Sequence, residues 1–301
     1  MTDQVYGVVP NFSEGRSKDV IDEIVGALHV PGARVVYAEA DADHNRLDTT
    51  VLGSADAVQR SAMAGAMTAI DLIDMTQHQG GHPRMGAADV IPFMPVRGTT
   101  MEEAVALARA FAEQLALAAD IPVYLYDQAA VAPERTSLAV VRKGEFEGLR
   151  DAVVTGERLP DFGPHRLGRA GATAVGARRP LIAFNVYLDA ADAAVANEIA
   201  KGIRESSGGL PAVRAIGFAV PDRGGIVTVS MNLVNHEVTG LHAAYDAVAA
   251  AAGDAGMGIV DSEIVGLVPA AAIAPEDVAR LKLRGFDPDS QILERLVGED
   301  R

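Results

Sequence analysis

The chain has no cysteine and no tryptophan, and aromatic residues make up 5% of its 301 positions. Without thiols there is no disulfide, no thiolate-bound metal and no cysteine nucleophile. Basic residues are scarce too: 26 lysines and arginines stand against 41 aspartates and glutamates, a formal net charge of −15. A surface that negative repels phosphate backbones and anionic lipid, which argues against general nucleic-acid or membrane-surface binding. No apolar run approaches the roughly 20 residues that cross a bilayer. The start, MTDQVYGVVPNF, lacks the basic-then-apolar plan of a secretory signal. The expectation is an acidic cytoplasmic protein. What is present is 49% hydrophobic and 22% charged residues, enough apolar side chains to bury a core over about two domains.

Apolar periodicity divides the chain. The pattern predicts a strand over residues 4–10, a helix over 17–29 with Ser17 as its N-cap, and strands over 34–40 and 48–53. A Ser-capped, alanine-rich helix follows over 54–75, then the glycine-rich segment HQGGHPRMGAA, the strand DVIPFMPV, a helix over 100–119 and the strand IPVYLY. Glu102 and Glu103 lie in the first turn of that last helix, where the macrodipole favours anions. Beyond residue 180 the same order, strand–helix–strand–strand–helix–strand, returns. That order is the split βαβ pattern. It predicts an α+β protein with subdomains over 1–179 and 180–301, the second carrying a helical tail; one continuous α/β sheet is the plainer alternative.

Four segments carry side chains with chemistry. In GGHPRMGAAD, His82 stands between glycines that allow close approach of a neighbour, and imidazole gives and takes protons near neutrality. His78 lies four residues away, but Gly80, Gly81 and Pro83 oppose the helix that would make the two histidines a metal pair, so no metal is expected. VPNFSEGR places Asn11, Ser13, Glu14 and Arg16 at a strand end, either a ligand-binding turn or simple helix-cap chemistry. DADHNR offers Asp41, Asp43, His44, Asn45 and Arg46, either as a solvated hairpin connection or as cleft-lining donors. Residues 130–180 hold nine basic and six acidic side chains, a local excess of +3 in a very acidic chain. Arginines there would pair with carboxylates of a small ligand; the alternative is a solvated surface loop.

In order along the chain, VPNFSEGR, HNR, HPRMGAADVIPFMPVRG, PVYLY, PDFGP, VGAR with LIAFNVYL, and EVTGLH with IVGLVP resemble the formiminotransferase family, in its stand-alone bacterial form. The resemblance runs from about Val5 to Val268. It implies two ferredoxin-like subdomains with a ligand cleft or tunnel between them. It also implies transfer of a formimidoyl group from formimidoylglutamate to tetrahydrofolate in histidine degradation, and a homodimer. The family's catalytic histidine carries over onto His82, serving as both acid and base. Its folate stretch carries over onto residues 163–171, with Gly163, Pro164, His165, Arg166 and Gly171 as contacts. Asn11, Ser13, Asn45, Arg46 and Arg84 fall among the substrate-binding positions, Arg46 and Arg84 as receivers of carboxylates, and the family's acidic role falls on Glu39, Asp41 or Asp43. A formyl donor on the same fold, or a folate-binding protein without catalysis, are the competing readings. The tail stripe Ile292, Leu293, Leu296 and Val297 faces either its own domain or a second copy.

Overall fold

In the computed structural model, residues 4–220 and 223–297 are described. The chain divides between Arg178 and Arg179 into two compact units.

The first unit opens with β1 (Val5–Val8), β2 (Asn11–Phe12), α1 (Lys18–Leu28), β3 (Ala33–Asp41), β4 (Arg46–Gly53), α2 (Ala55–Leu72) and β5 (Ala88–Arg97). In the sheet β5 lies beside β1 and β2, then comes β4, and β3 is outermost, all antiparallel. This is the split βαβ order, with α1 and α2 closing the core over Val8, Phe12, Ile24, Leu28, Leu47 and Val51. The chain continues through α3 (Met101–Ala119), β6 (Val123–Asp127), α4 (Leu138–Val141), α5 (Glu145–Thr155) and β7 (Thr173–Ala177). β7 inserts between β5 and β6, parallel to both.

The second unit repeats the order: β8 (Ile182–Leu188), α6 (Ala193–Ile203), β9 (Val213–Val220), β10 (Ile226–Leu233), α7 (Leu241–Asp254) and β11 (Ile259–Val265). Its four strands run β11–β8–β10–β9, all antiparallel. Ile182, Phe184, Val186 and Leu188 alternate inward from β8 onto α6 and α7, the period of a half-buried strand. Two separate sheets replace the single continuous sheet held open above.

Three readings of the sequence change. The first strand breaks after Val8 and resumes at Asn11, so the turn NFSEGR begins as β-structure. Ser17 holds the N-cap position of α1 but its side chain makes no cap bond; Glu14 does that work, its carboxylate accepting from the N–H groups of Arg16 and Ser17 at 2.8 and 2.9 Å. Thr100 and Glu103, by contrast, form a full capping box on α3. Residues 130–180 contain two helices and a central strand rather than one long connection, because the small apolar run TAVGA is buried along its whole length. The tail forms two short helical turns (Pro288–Gln291 and Leu293–Leu296), and Ile292 and Leu293 are buried against their own unit. No helix among the described residues is long and apolar enough to cross a membrane.

One contact in the second unit is unforgiving. Gly217 of β9 lies under α6, and a Cβ there would stand 2.1 Å from the backbone carbon of Ala196. Gly202, inside α6, faces open space. Gly217→Ala is expected to cost about 1–3 kcal/mol by overpacking, whereas Gly202→Ala gains about 0.5–1 kcal/mol of helix propensity. Denaturant midpoints that shift in opposite directions bear this out; equal midpoints overturn it.

Candidate active site around His82

The site is built on a buried carboxylate. Asp89, near the start of β5, has no solvent exposure. It accepts from Arg46 Nη1 at 2.8 Å, from the Met85 N–H at 2.8 Å, and from Arg142 Nη2. Burial alone would raise its pKa, but the Arg142 and Arg46 guanidiniums outweigh that and hold the carboxyl below the usual range. Arg46 opens β4 and also donates to Asp48 at 3.0 Å and Asn11 at 2.5 Å. Arg142 arrives from the end of α4, and its Nε is buried without a partner among the described residues, a costly arrangement.

His82 lies beside this cluster. Its Nδ1 is 2.7 Å from the Pro83 carbonyl oxygen. A carbonyl only accepts, so Nδ1 carries the proton and Nε2 is left with a free lone pair. Burial, then the positive charge of Arg46 and Arg142, push its pKa down to about 4, against a smaller opposing pull from Asp89. The ring is thus a neutral base across the physiological range. Its neighbour is His44, edge-on at 6.2 Å between ring centroids. His44 follows β3, and its Nδ1 stands 2.6 Å from the Asp41 carboxylate.

The glycines before His82 explain how these rings meet. A Cβ at Gly80 would lie 2.4 Å from the His44 carbonyl oxygen, and the Gly81 N–H donates to the Asp43 carbonyl at 3.3 Å. Close approach here is to the protein's own hairpin, which sets His82 against His44. Asn45, in the left-handed region at φ 51°, ties the same loops: its Oδ1 accepts from the Gly15 N–H and its Nδ2 donates to the Gln79 carbonyl, both at 2.9 Å.

The remaining expected residues separate into groups. Asn11 and Ser13 are both here, Asn11 on Arg46 and Ser13 Oγ donating to the Gly86 carbonyl at 2.8 Å. Arg84 is buried with its guanidinium on Glu145 at 2.7 Å and Glu147 at 2.7 Å, so Arg46 and Arg84 both have carboxylates of the protein as partners rather than open donors. His78 accepts at Nδ1 from Arg84 Nε and therefore donates from Nε2 to the Asn45 carbonyl, each at 3.2 Å, a positioning role within the loop. Gly171 bridges to Gly86, which brings the end of the 163–171 stretch against the HPRMGA segment. Gly163 packs on the Ile121 backbone, Pro164 is half-buried, and His165 is exposed. Arg166 sits at the surface on Asp120 at 2.6 Å. Several arginines of residues 130–180 are engaged within the fold: Arg135 is paired with Asp161 and Arg142 with Asp89, while Arg158 donates to the Lys143 and Val141 carbonyls. Asp89 and Arg142 were not singled out in the sequence, although an aspartate at the head of a fully apolar strand signals a buried, paired charge. Among the described residues no group of three or more His, Asp or Glu side chains is placed to hold a metal ion.

Because the folded protein keeps His82 neutral down to about 4, while an unfolded chain protonates histidine near 6.5, the unfolded state binds the extra proton between those values. His82 therefore makes stability fall as the pH drops from about 6.5 towards about 4. His82→Gln should flatten that part of the profile in urea titrations at stepped pH; an unchanged slope would contradict the buried, cation-flanked setting.

Comparison with known proteins identifies the family. The model of the formiminotransferase domain, N-terminal subdomain, matches residues 5–178, and that of the formiminotransferase domain matches residues 183–295. The chain is 42% identical over 293 residues to the glutamate formimidoyltransferase of Streptococcus pyogenes serotype M1, covering 97% of this chain and 98% of that protein. It is 43% identical over 292 residues to the glutamate formimidoyltransferase of Thermoplasma acidophilum, covering 95% of each. Against the formimidoyltransferase-cyclodeaminase of Rattus norvegicus it is 38% identical and spans 60% of that longer protein. With both subdomain models matched in order along nearly all of its length, the chain belongs to the formiminotransferase family.

Proposed function

We propose that this chain is a glutamate formimidoyltransferase, moving the formimidoyl group from N-formimidoyl-L-glutamate to tetrahydrofolate, with His82 as the catalytic base. Close similarity to stand-alone enzymes of that name supports the transferase activity. The observation that carries the role of His82 is its free Nε2 on a neutral ring beside two guanidiniums.

The chemistry follows from the groups involved. N5 of tetrahydrofolate is a weak amine nucleophile. It attacks the formimidoyl carbon, and a tetrahedral intermediate forms in which that nitrogen must lose a proton. His82 Nε2 takes it, a contribution of the order of 10²–10⁴-fold. The intermediate then expels the glutamate nitrogen, which leaves well only when protonated. No covalent enzyme intermediate is needed, and holding both reactants in register supplies much of the remaining acceleration. The stretch over residues 163–171, with Gly163, Pro164, His165, Arg166 and Gly171, is the proposed folate contact, and Asn11, Ser13, Asn45, Arg46 and Arg84 shape the pocket floor. Since Arg46 and Arg84 are bound by the protein's own carboxylates, their first task is to hold that floor rigid. Use of folate in histidine degradation, a homodimer and a cytoplasmic setting belong to the same proposal, as does the absence of a metal requirement. A formyl donor is the second reading; it differs by one atom, NH against O, and the names of the relatives favour the formimidoyl group.

A spectrophotometric assay with tetrahydrofolate and either formimidoylglutamate or formylglutamate tests the reading. His82→Ala is expected to lower kcat by about 10²–10⁴-fold, or roughly 3–5 kcal/mol of transition-state stabilisation, with folate KM little changed. His78→Ala should retain most turnover, since both its ring nitrogens serve loop contacts. Normal turnover in His82→Ala removes the assignment, and equal losses in both variants point to loop integrity instead.

A further inference from the structure

The departing glutamate nitrogen must receive a proton. His82, once it holds the N5 proton, is one donor, set by burial and by Arg46 of β4, Arg142 at the end of α4 and Asp89 of β5. A second imidazole faces it. His44 stands edge-on to His82 at 6.2 Å between centroids, so the two rings border the same site. His44 Nδ1 is bound to Asp41 at 2.6 Å, and the same Asp41 carboxylate accepts from the backbone N–H groups of Asp43 and His44 at 2.9 Å. Burial works against ionisation of Asp41, but these hydrogen bonds and the His44 ring outweigh it and hold its pKa below the ordinary value. A carboxylate gripped this way fixes both the ring's orientation and its tautomer, leaving Nε2 as the working nitrogen.

Stability does not account for this pair. The side chains of His44 and Asp41 are 56% and 50% exposed, and a polar pair so open to water contributes little to folding. Yet the backbone is shaped to deliver it. Gly80 admits the His44 carbonyl where any side chain would collide, the Gly81 N–H closes on the Asp43 carbonyl, and Asn45 adopts a left-handed conformation directly after His44.

We propose that His44, oriented by Asp41, is a second catalytic residue: the general acid that protonates the departing glutamate nitrogen while His82 takes the proton of the attacking nitrogen. This rests on the assignment of His82 as base. The N5–carbon bond forms and the N5 proton passes to His82 Nε2. The carbon–glutamate nitrogen bond then breaks, its electron pair stays on that nitrogen, and His44, entering the step as the imidazolium with Nδ1–H held by Asp41, supplies the proton from Nε2. One proton returning from His82 to His44 through solvent restores both rings. Asp41 is a positioning residue, which selects it over Glu39 and Asp43 as the acidic partner of this hairpin.

The test is kcat and KM, with the pH profile of kcat, for the parent enzyme and four variants, with thermal melts to confirm folding. His44→Gln should lower kcat by about 10²-fold, change the alkaline limb of the kcat profile, and leave the KM for tetrahydrofolate within threefold or so. Asp41→Asn should show a smaller loss of kcat with folate KM unchanged, and added imidazole should partly restore His44→Ala, whose site is open to solvent. If His44→Gln keeps full kcat and an unaltered alkaline limb while His82→Ala is inactive, the assignment of His44 fails and that of His82 stands. If His82→Ala is itself fully active, the underlying reading fails instead.

Discussion

Asp89 is the constraint on which the rest of the site depends. A carboxylate without solvent exposure must be matched in charge and in hydrogen bonds, because an unpaired buried charge costs several kcal/mol. The partners come from three places far apart in sequence: Arg46 at the start of β4, the Met85 N–H in the loop before β5, and Arg142 after α4. Their convergence fixes where β4, β5 and the segment after β6 stand relative to one another. The anchoring of Asn11 by the second Nη of Arg46 extends the same constraint to β2.

The cluster also sets the chemistry beside it. Burial, together with the Arg46 and Arg142 guanidiniums, holds the half-buried imidazole beside the cluster neutral. The cations that pair with Asp89 are therefore also among the causes that keep the His82 ring neutral. The hairpin between β3 and β4 has the opposite character: it is solvent-exposed, and Asp41 supplies a negative charge to His44. Two imidazoles with centroids 6.2 Å apart thus sit in contrasting surroundings, one half-buried beside cations and one exposed beside a carboxylate, the contrast on which the proposed pair of proton transfers rests.

The internal similarity of the two units concerns topology alone. Both place the fourth strand of the split βαβ order beside the first and the second strand at the edge. Only the first unit extends its sheet, by β7 and β6, and that extension carries α4 and α5, hence Arg142, Glu145 and Glu147. All the side chains of the His82 cluster described above come from the first unit.

Much of this was legible in the residues themselves. Alternating apolar positions in β8 and the helical spacing in α2 and α3 follow from the two side-chain periods, so element type and order could be read locally. His82 stood out because its glycine setting and ring chemistry are properties of a short segment, and the ordered motifs pointed to the family. The TAVGA strand was missed because small residues buried on both faces carry no alternation. The pairing of the arginines was not legible, for a deeper reason. Charge counted along residues 130–180 suggests open cations, whereas charge in space finds Arg142 on Asp89 and Arg135 on Asp161. The sequence by itself determined most of the elements, their order and the candidate histidine, since each is encoded within a few neighbouring residues. Tertiary structure alone decided which charges are neutralised, which nitrogen of His82 is free and which imidazole faces it, because those depend on contacts between segments whose separation along the chain says nothing of their distance.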